Sequence, residues 1–222
     1  PEDLRHLSKP SGGQVFAGMA GPMIVEGGLD AMPGIRDIPQ RVLAIQNTQL
    51  GDDGRVVPQD EEAADSNTQL FVNGAINPEI NIRPGQLQRW LIYNMNSDRF
   101  VKLGLEGQEF QLLATDGNTL EQIQPMDEML VGPGSRSEVL VRGETPGSYK
   151  LEALPFTRFP GPGGSTSEET VATIVSGDEP VEEGRDPAGP LQEKEDLREV
   201  SVDREREIVY SEDGLADPPK IF

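Results

Sequence analysis

The chain has 222 residues, with 39 acidic against 19 basic side chains and a formal net charge of -20. Such a charge repels nucleic-acid phosphate and anionic lipid, so neither nucleic acid nor membrane is expected as a partner. There is no cysteine and one histidine, which excludes disulfides, iron–sulfur clusters, thiolate zinc sites, a cysteine nucleophile and a blue-copper centre, the last because it needs a Cys thiolate beside two His.

Hydrophobic residues make up 35% and aromatic residues 5%, with 25 Gly and 19 Pro, a balance that suits a turn-rich all-β protein. The length allows one good core with extra segments, or two small domains. No apolar run approaches the roughly 20 residues that cross a bilayer. No charged start with a hydrophobic run follows Pro1, so no signal peptide is visible, and no compartment follows from that. Two readings of the acidity stand: a solvated surface with an acidic tail, and a high-salt habitat, since Arg outnumbers Lys.

In chain order, residues 1–28 end in an apolar segment, Pro22 to Val25, expected as a strand that must pack on something else. Leu29 to Pro39 is a connector turning at Pro33-Gly34. Arg41 to Leu50 reads as a strand, followed by the Gly51-Asp-Asp-Gly54 turn and an acidic loop from Gln59 to Asn67. Strands are then expected at about 68–73, 79–83, 86–95, 99–105, 109–114, 127–131, 137–142, 147–154 and 169–176. Turn dipeptides punctuate them: Asn73-Gly74, Pro84-Gly85, Asp116-Gly117, Pro133-Gly134 and Pro146-Gly147. Within 86–95, Gln88, Trp90 and Ile92 share one face and Leu87, Arg89 and Leu91 the other. Pro146-Gly-Ser-Tyr149 fits a tyrosine corner. The expected core is Val42, Ile45, Phe71, Trp90, Ile92, Leu103, Leu112, Val139, Val141 and Leu151. Thr157 to Ser167 reads as a surface loop, Gly177 to Arg198 as an extended or mobile acidic linker, and Glu205 to Ser211 as a further strand.

Five segments carry a family resemblance: Phe71-Val-Asn-Gly74, Ile82-Arg-Pro-Gly-Gln-Leu-Gln-Arg-Trp90, Ala114-Thr-Asp-Gly117, Val131-Gly-Pro-Gly-Ser-Arg-Ser-Glu-Val-Leu-Val141 and Pro146-Gly-Ser-Tyr-Lys-Leu151. In this order and spacing they resemble the middle domain of three-domain multicopper oxidases, the laccase-like enzymes. The resemblance implies an all-β, cupredoxin-like Greek-key sandwich or barrel. It also implies three parts: residues 1–28 closing a preceding cupredoxin domain, 29–177 as the middle domain, and 178–222 as an acidic linker with the first strand of a following one. Such a parent oxidises phenolic, dye or metal-ion substrates by one-electron steps and reduces O2 to water. Its copper sits in the flanking cupredoxin domains, covalent or associated; the partners implied are those domains, a small-molecule reductant and O2. Family resemblance favours an extracellular or periplasmic location. A non-catalytic cupredoxin-fold binding or scaffold module that has lost the metal sites is the alternative, and zero Cys argues against a complete small electron carrier.

No residue is assigned a catalytic role, and no cofactor is expected on this chain by itself. By alignment on Gln14-Val15-Phe16, His6 falls on the second ligand of the family's His-x-His copper motif, with Leu4 in the place of the first. His6 is therefore the one metal-ligand candidate, set against an exposed terminal histidine. Met19, Met23, Met32, Met95, Met126 and Met129 are scattered, which suits core filling better than copper(I) binding. Trp90 reads as a core residue. Asp52-Asp53, Glu61-Glu62 and Glu182-Glu183 lie in turns or loops as solvated charge, and Asp116-Gly117 serves a turn needing positive φ. No nucleophile elbow, phosphate loop or dinucleotide fingerprint is present.

Overall fold

A computed structural model describes residues 11–57, 68–160, 164–179, 186–187, 189–209, 212–213 and 220–221. The chain divides into two compact units, Pro1–Gln192 and Glu193–Phe222. Among the described residues, no helix is long and apolar enough to cross a membrane.

The larger unit is a sandwich of two mixed sheets, the all-β arrangement expected. One sheet has the order β2 (Gln69–Val72), β1 (Gln40–Thr48), β4 (Leu87–Asn94), β9 (Arg136–Arg142), β6 (Phe110–Thr115) and β7 (Asn118–Met126). The other has the order β3 (Glu79–Ile82), β13 (Glu169–Ser176), β10 (Gly147–Leu154), β5 (Val101–Leu105) and β8 (Glu128–Val131). Pairing is antiparallel except for β1 with β4 and β13 with β3. A small hairpin, β11 (Phe156–Thr157) with β12 (Ser165–Thr166), stands beside the sheets.

The turn chemistry follows the sequence. Asn73 and Gly74 both take positive φ, as do Asp116 and Gly117, the geometry that matches hairpin twist. At Gly143 a Cβ would collide with the Arg83 carbonyl, so only glycine lets β9 leave the sheet there. The Tyr149 hydroxyl donates to the Thr145 carbonyl at 2.7 Å, which is the tyrosine corner anticipated.

Two apolar clusters result. The larger lies between the sheets and includes Leu43, Ile45, Val72, Trp90, Ile92, Leu103, Phe110, Val139 and Leu151. Gln88, a polar residue at its edge, is satisfied: Oε1 accepts from Trp90 Nε1 at 3.1 Å and from Arg41 Nε at 2.8 Å, while Nε2 donates to the Asn81 carbonyl at 3.0 Å. The smaller cluster covers the outer face of the six-stranded sheet, where Leu29, Ile35 and Leu191 pack over Leu87, Leu113, Ala114 and Leu140. A bulge between Leu112 and Ala114 lets Leu113 and Ala114 both join it.

Five expectations are corrected. Val42 and Phe71 are half-buried, and the core positions are their neighbours Leu43 and Val72. Strand β7, Asn118–Met126, was not anticipated: it is polar and holds Pro125, tolerable because it is an edge strand. Pro22 to Val25 forms no strand; it follows helix α1 (Ser11–Phe16) without regular structure, with Met23 and Val25 about four-fifths exposed. The described residues of the Glu205 to Ser211 segment, 205–209, are likewise not a strand, and the unit's one described ladder joins β14 (Glu212–Asp213) to β15 (Lys220–Ile221). Finally, the expected linker is docked in part. Leu191 is buried in the outer cluster and its N–H donates to the Glu121 carbonyl at 2.8 Å, while Asp186 pairs with Arg142.

Candidate functional site

The outer face of the six-stranded sheet carries a largely buried group of charges. Residues of β4 alternate, so Arg89 and Tyr93 point away from the inter-sheet core that holds Trp90 and Ile92. Register places Leu91 opposite Glu138 and Tyr93 opposite Arg136 on β9. Arg89 has only 5% of its side chain exposed, with Nη2 2.8 Å from Asp30 Oδ1 and Nε bonded to Glu138 Oε1. Asp30 sits in a 3-10 turn, Gly28–Ala31, which its own carboxylate helps close by accepting from Gly27 N–H at 2.9 Å. One guanidinium thus ties the connector to β4 and β9.

Beside this triad lies an open groove of about 780 Å3 between the sheet and residues 20–28. Met23, Ile24, Tyr93, Asp116, Arg136 and Glu138 line it. The segment above it is anchored at both ends by buried Phe16 and Leu29, and between them Tyr93 donates its hydroxyl to the Met23 carbonyl at 3.4 Å. Burial pushes the Glu138 carboxyl above its ordinary range, outweighing the pull of Arg89, and nearby Asp30 adds to the rise. Burial also pushes the Tyr93 hydroxyl up, aided by Glu138 and opposed by Arg136.

This arrangement can anchor a segment and present a half-buried carboxyl. It cannot run copper redox chemistry. Among the described residues no group of three or more His, Cys, Asp or Glu is placed to hold a metal, and none of these residues is a histidine or cysteine. The donor set therefore does not fit copper, which takes imidazole and thiolate ligands in this kind of site.

His6 and Leu4 lie outside the described residues, as do Glu61-Glu62 and Glu182-Glu183. The methionines stay dispersed: Met129 is in the inter-sheet core, Met32 packs on the outer cluster, and Met19 and Met23 are exposed. Among the described residues, Asp53 pairs with Arg55, accepting its backbone N–H at 3.1 Å and lying 3.7 Å from its guanidinium on the surface. The Arg89–Asp30–Glu138 triad and Tyr93 escaped sequence reasoning. The available signal was a lone cation between Leu87 and Leu91 in an otherwise buried strand, with an acid, Glu138, beside the Val139-Leu140-Val141 run.

The family profile described as Cu-oxidase, multicopper oxidase, matches residues 38–175. Curated relatives include the cell division protein FtsP of Dickeya dadantii, 32% identical over 135 residues, covering 57% of this chain and 28% of that protein. FtsP of Gallibacterium anatis is 33% identical over 135 residues, covering 58% of this chain and 28% of that protein. The chain thus spans under a third of the length of these relatives. Among solved structures, the McoA multicopper oxidase 2F4 variant of Aquifex aeolicus shares the fold with a TM-score of 0.72 at 22% identity, covering 85% of this chain and 44% of that one. The multicopper oxidase of Campylobacter jejuni, described as a metallo-oxidase, gives 0.60 at 21% identity, covering 85% of this chain and 39% of its own. With a family match across more than half its length, and a two-sheet sandwich to go with it, this chain belongs to the multicopper oxidase family.

Proposed function

We propose that residues 29–177 are the copper-free middle domain of a multicopper-oxidase-type protein, spacing two copper-bearing cupredoxin units. Residues 1–28 then close the preceding unit and 178–222 lead into the following one. One observation carries this reading: a well-formed domain of the family whose described residues include neither thiolate nor imidazole. The apolar side chains along residues 19–25, with Met19, Met23 and Val25 exposed, supply a surface that a preceding unit would cover. The parent's chemistry is one-electron oxidation of phenols, dyes or metal ions, four electrons and four protons converting O2 to two waters, in an extracellular or periplasmic setting. His6 is proposed to contribute a copper ligand only within that larger molecule.

The test compares this chain with its full-length parent for bound copper and for oxygen uptake with a laccase dye. Copper and activity in the parent but not in this chain are expected. Activity in this chain by itself overturns the reading.

A second reading has its own support, since the relatives are named cell division proteins. In it the parent is a non-catalytic scaffold that kept the fold without the metals. A copper-free, inactive parent whose depletion impairs division selects this reading.

A further inference from the structure

At the end of the sandwich next to the groove, β1, β4 and the turn after β4 bring three asparagines together, and none of the three is more than 5% exposed. Asn94 is fully engaged. Its Nδ2 donates to the carbonyls of Arg99 at 2.9 Å and Val131 at 2.8 Å, and its Oδ1 accepts from Asn96 N–H at 3.0 Å. Asn96 passes the constraint on, because its Oδ1 accepts the N–H of Asn47. These bonds settle which way both amides face, so the Asn96 Nδ2 must point away from the Asn47 backbone. Among the described residues, Asn96 Nδ2 and both side-chain heteroatoms of Asn47 meet no hydrogen-bonding group of the protein. Buried amides left in that condition are strongly disfavoured, and native folds satisfy them with protein groups or ordered water.

The chemistry of the three atoms selects the ligand. Two are N–H donors and one is a carbonyl acceptor, with no net charge among them. An anion would face the Asn47 carbonyl oxygen, and a cation would face two amino groups. Water alone both accepts and donates, and typically makes about three such bonds when buried. Asn96 also borders the groove, which provides a route from bulk solvent. The third requirement is rigidity, and Asn94 supplies it through the bonds above.

We propose that Asn47 and Asn96 form a specific site for ordered water at the end of the sandwich, where Asn96 borders the groove. The bound water accepts from Asn96 Nδ2 and completes the Asn47 amide, and so joins β1 to the turn that follows β4. Asn47 is the residue that selects it; Asn94 is a positioning residue that holds Asn96.

The test uses the full 222-residue chain labelled with nitrogen-15. Magnetisation transfer from water to the Asn47 and Asn96 side-chain amide protons is expected with the sign of a long-lived complex. A high-resolution crystal map should show one peak within hydrogen-bond distance of both amides. Asn47→Leu, similar in size and without polar atoms, should abolish the transfer at Asn96 while leaving chemical shifts on β5, β8 and β10 unchanged. Absence of transfer at both amides in the unsubstituted chain overturns the proposal, as does a map in which the two side chains bond to protein groups or to an ion. If Asn47→Leu does not fold, the map of the unsubstituted chain decides the matter.

Discussion

The two faces of β4 are built to opposite rules. Inward, Trp90 and Ile92 are fully buried in an apolar layer, and the polar residues of that parity, Gln88 and Asn94, are hydrogen-bonded within the protein. Outward, Leu87 and Leu91 alternate with Arg89 and Tyr93, and an ion triad replaces close-packed carbon. The inner face gains its stability from area removed from water, which depends on volume and shape. The outer face trades some of that for direction: a guanidinium fixes where Asp30, and with it the connector, meets the sheet. A strand whose two faces differ this way serves both as core and as the seat for what precedes it in the chain.

The largest effect should come from the inner face. Trp90→Ala removes a side chain with no exposure and strands Gln88 of one partner. A loss of about 4 kcal/mol in unfolding free energy is expected, read from the urea midpoint at unchanged slope. A loss below about 1 kcal/mol would mean that the layer collapses readily and is not closely packed.

On the outer face, Arg89→Met should cost about 3 kcal/mol, because Glu138 then loses its counter-charge while still partly buried. Adding Glu138→Leu to Arg89→Met should recover most of that loss, since an apolar pair of similar volume suits the neighbouring Leu87 and Leu140. Hydrogen exchange would then separate stability from direction. The doubly substituted chain should exchange faster over residues 20–30 than the unsubstituted one, even at equal midpoint. Equal exchange there would show that the triad does not hold the connector.

Much of the inner face was legible before any coordinates. The parity of β4, the turn dipeptides and the tyrosine corner each rest on local chemistry, and each is present. The failures share a cause. Arg41 to Ile45 places apolar residues on both parities, so Val42 and Leu43 compete for the core and only the register with β4 decides between them. Strand β7 has the composition of a loop, and its assignment comes from pairing with β6. The Arg89 triad draws on the connector, β4 and β9, elements far apart in sequence, so no local pattern announces it. Leu191 is one of a few scattered apolar residues in an acidic stretch, with Val181 and Leu197, and they show no period.

Leu191 offers a smaller test of the same outer face. It is buried among Leu87, Leu113 and Leu140, with one main-chain bond to β7. Leu191→Ala should cost about 2 kcal/mol, the low end for such a truncation at a site open on one side. Trypsin should also cut faster at Lys194 in this variant, because the anchor just before it is weakened. Unchanged cutting and midpoint would mean that the segment rests on the sheet without contributing to it.

The smallest effect tests whether burial or pairing governs the outer face. Glu138 holds its proton more tightly in the folded chain than an ordinary carboxyl does, because desolvation outweighs the attraction of Arg89. The folded state therefore binds more protons than the unfolded state between the ordinary carboxyl range and the raised folded value. By linkage, this group's stabilising contribution is full below about pH 4 and is lost as pH rises through its folded value. Glu138→Gln removes the titration while keeping shape and an acceptor for Arg89. Urea midpoints of both chains taken from acid to neutral pH share every other carboxyl, so their difference isolates Glu138. The unsubstituted chain should lose stability relative to Glu138→Gln as pH rises across that window. A difference running the other way would mean that the Arg89 ion pair dominates, which would make the outer face an ordinary salt bridge and the contrast between the two faces of β4 one of degree.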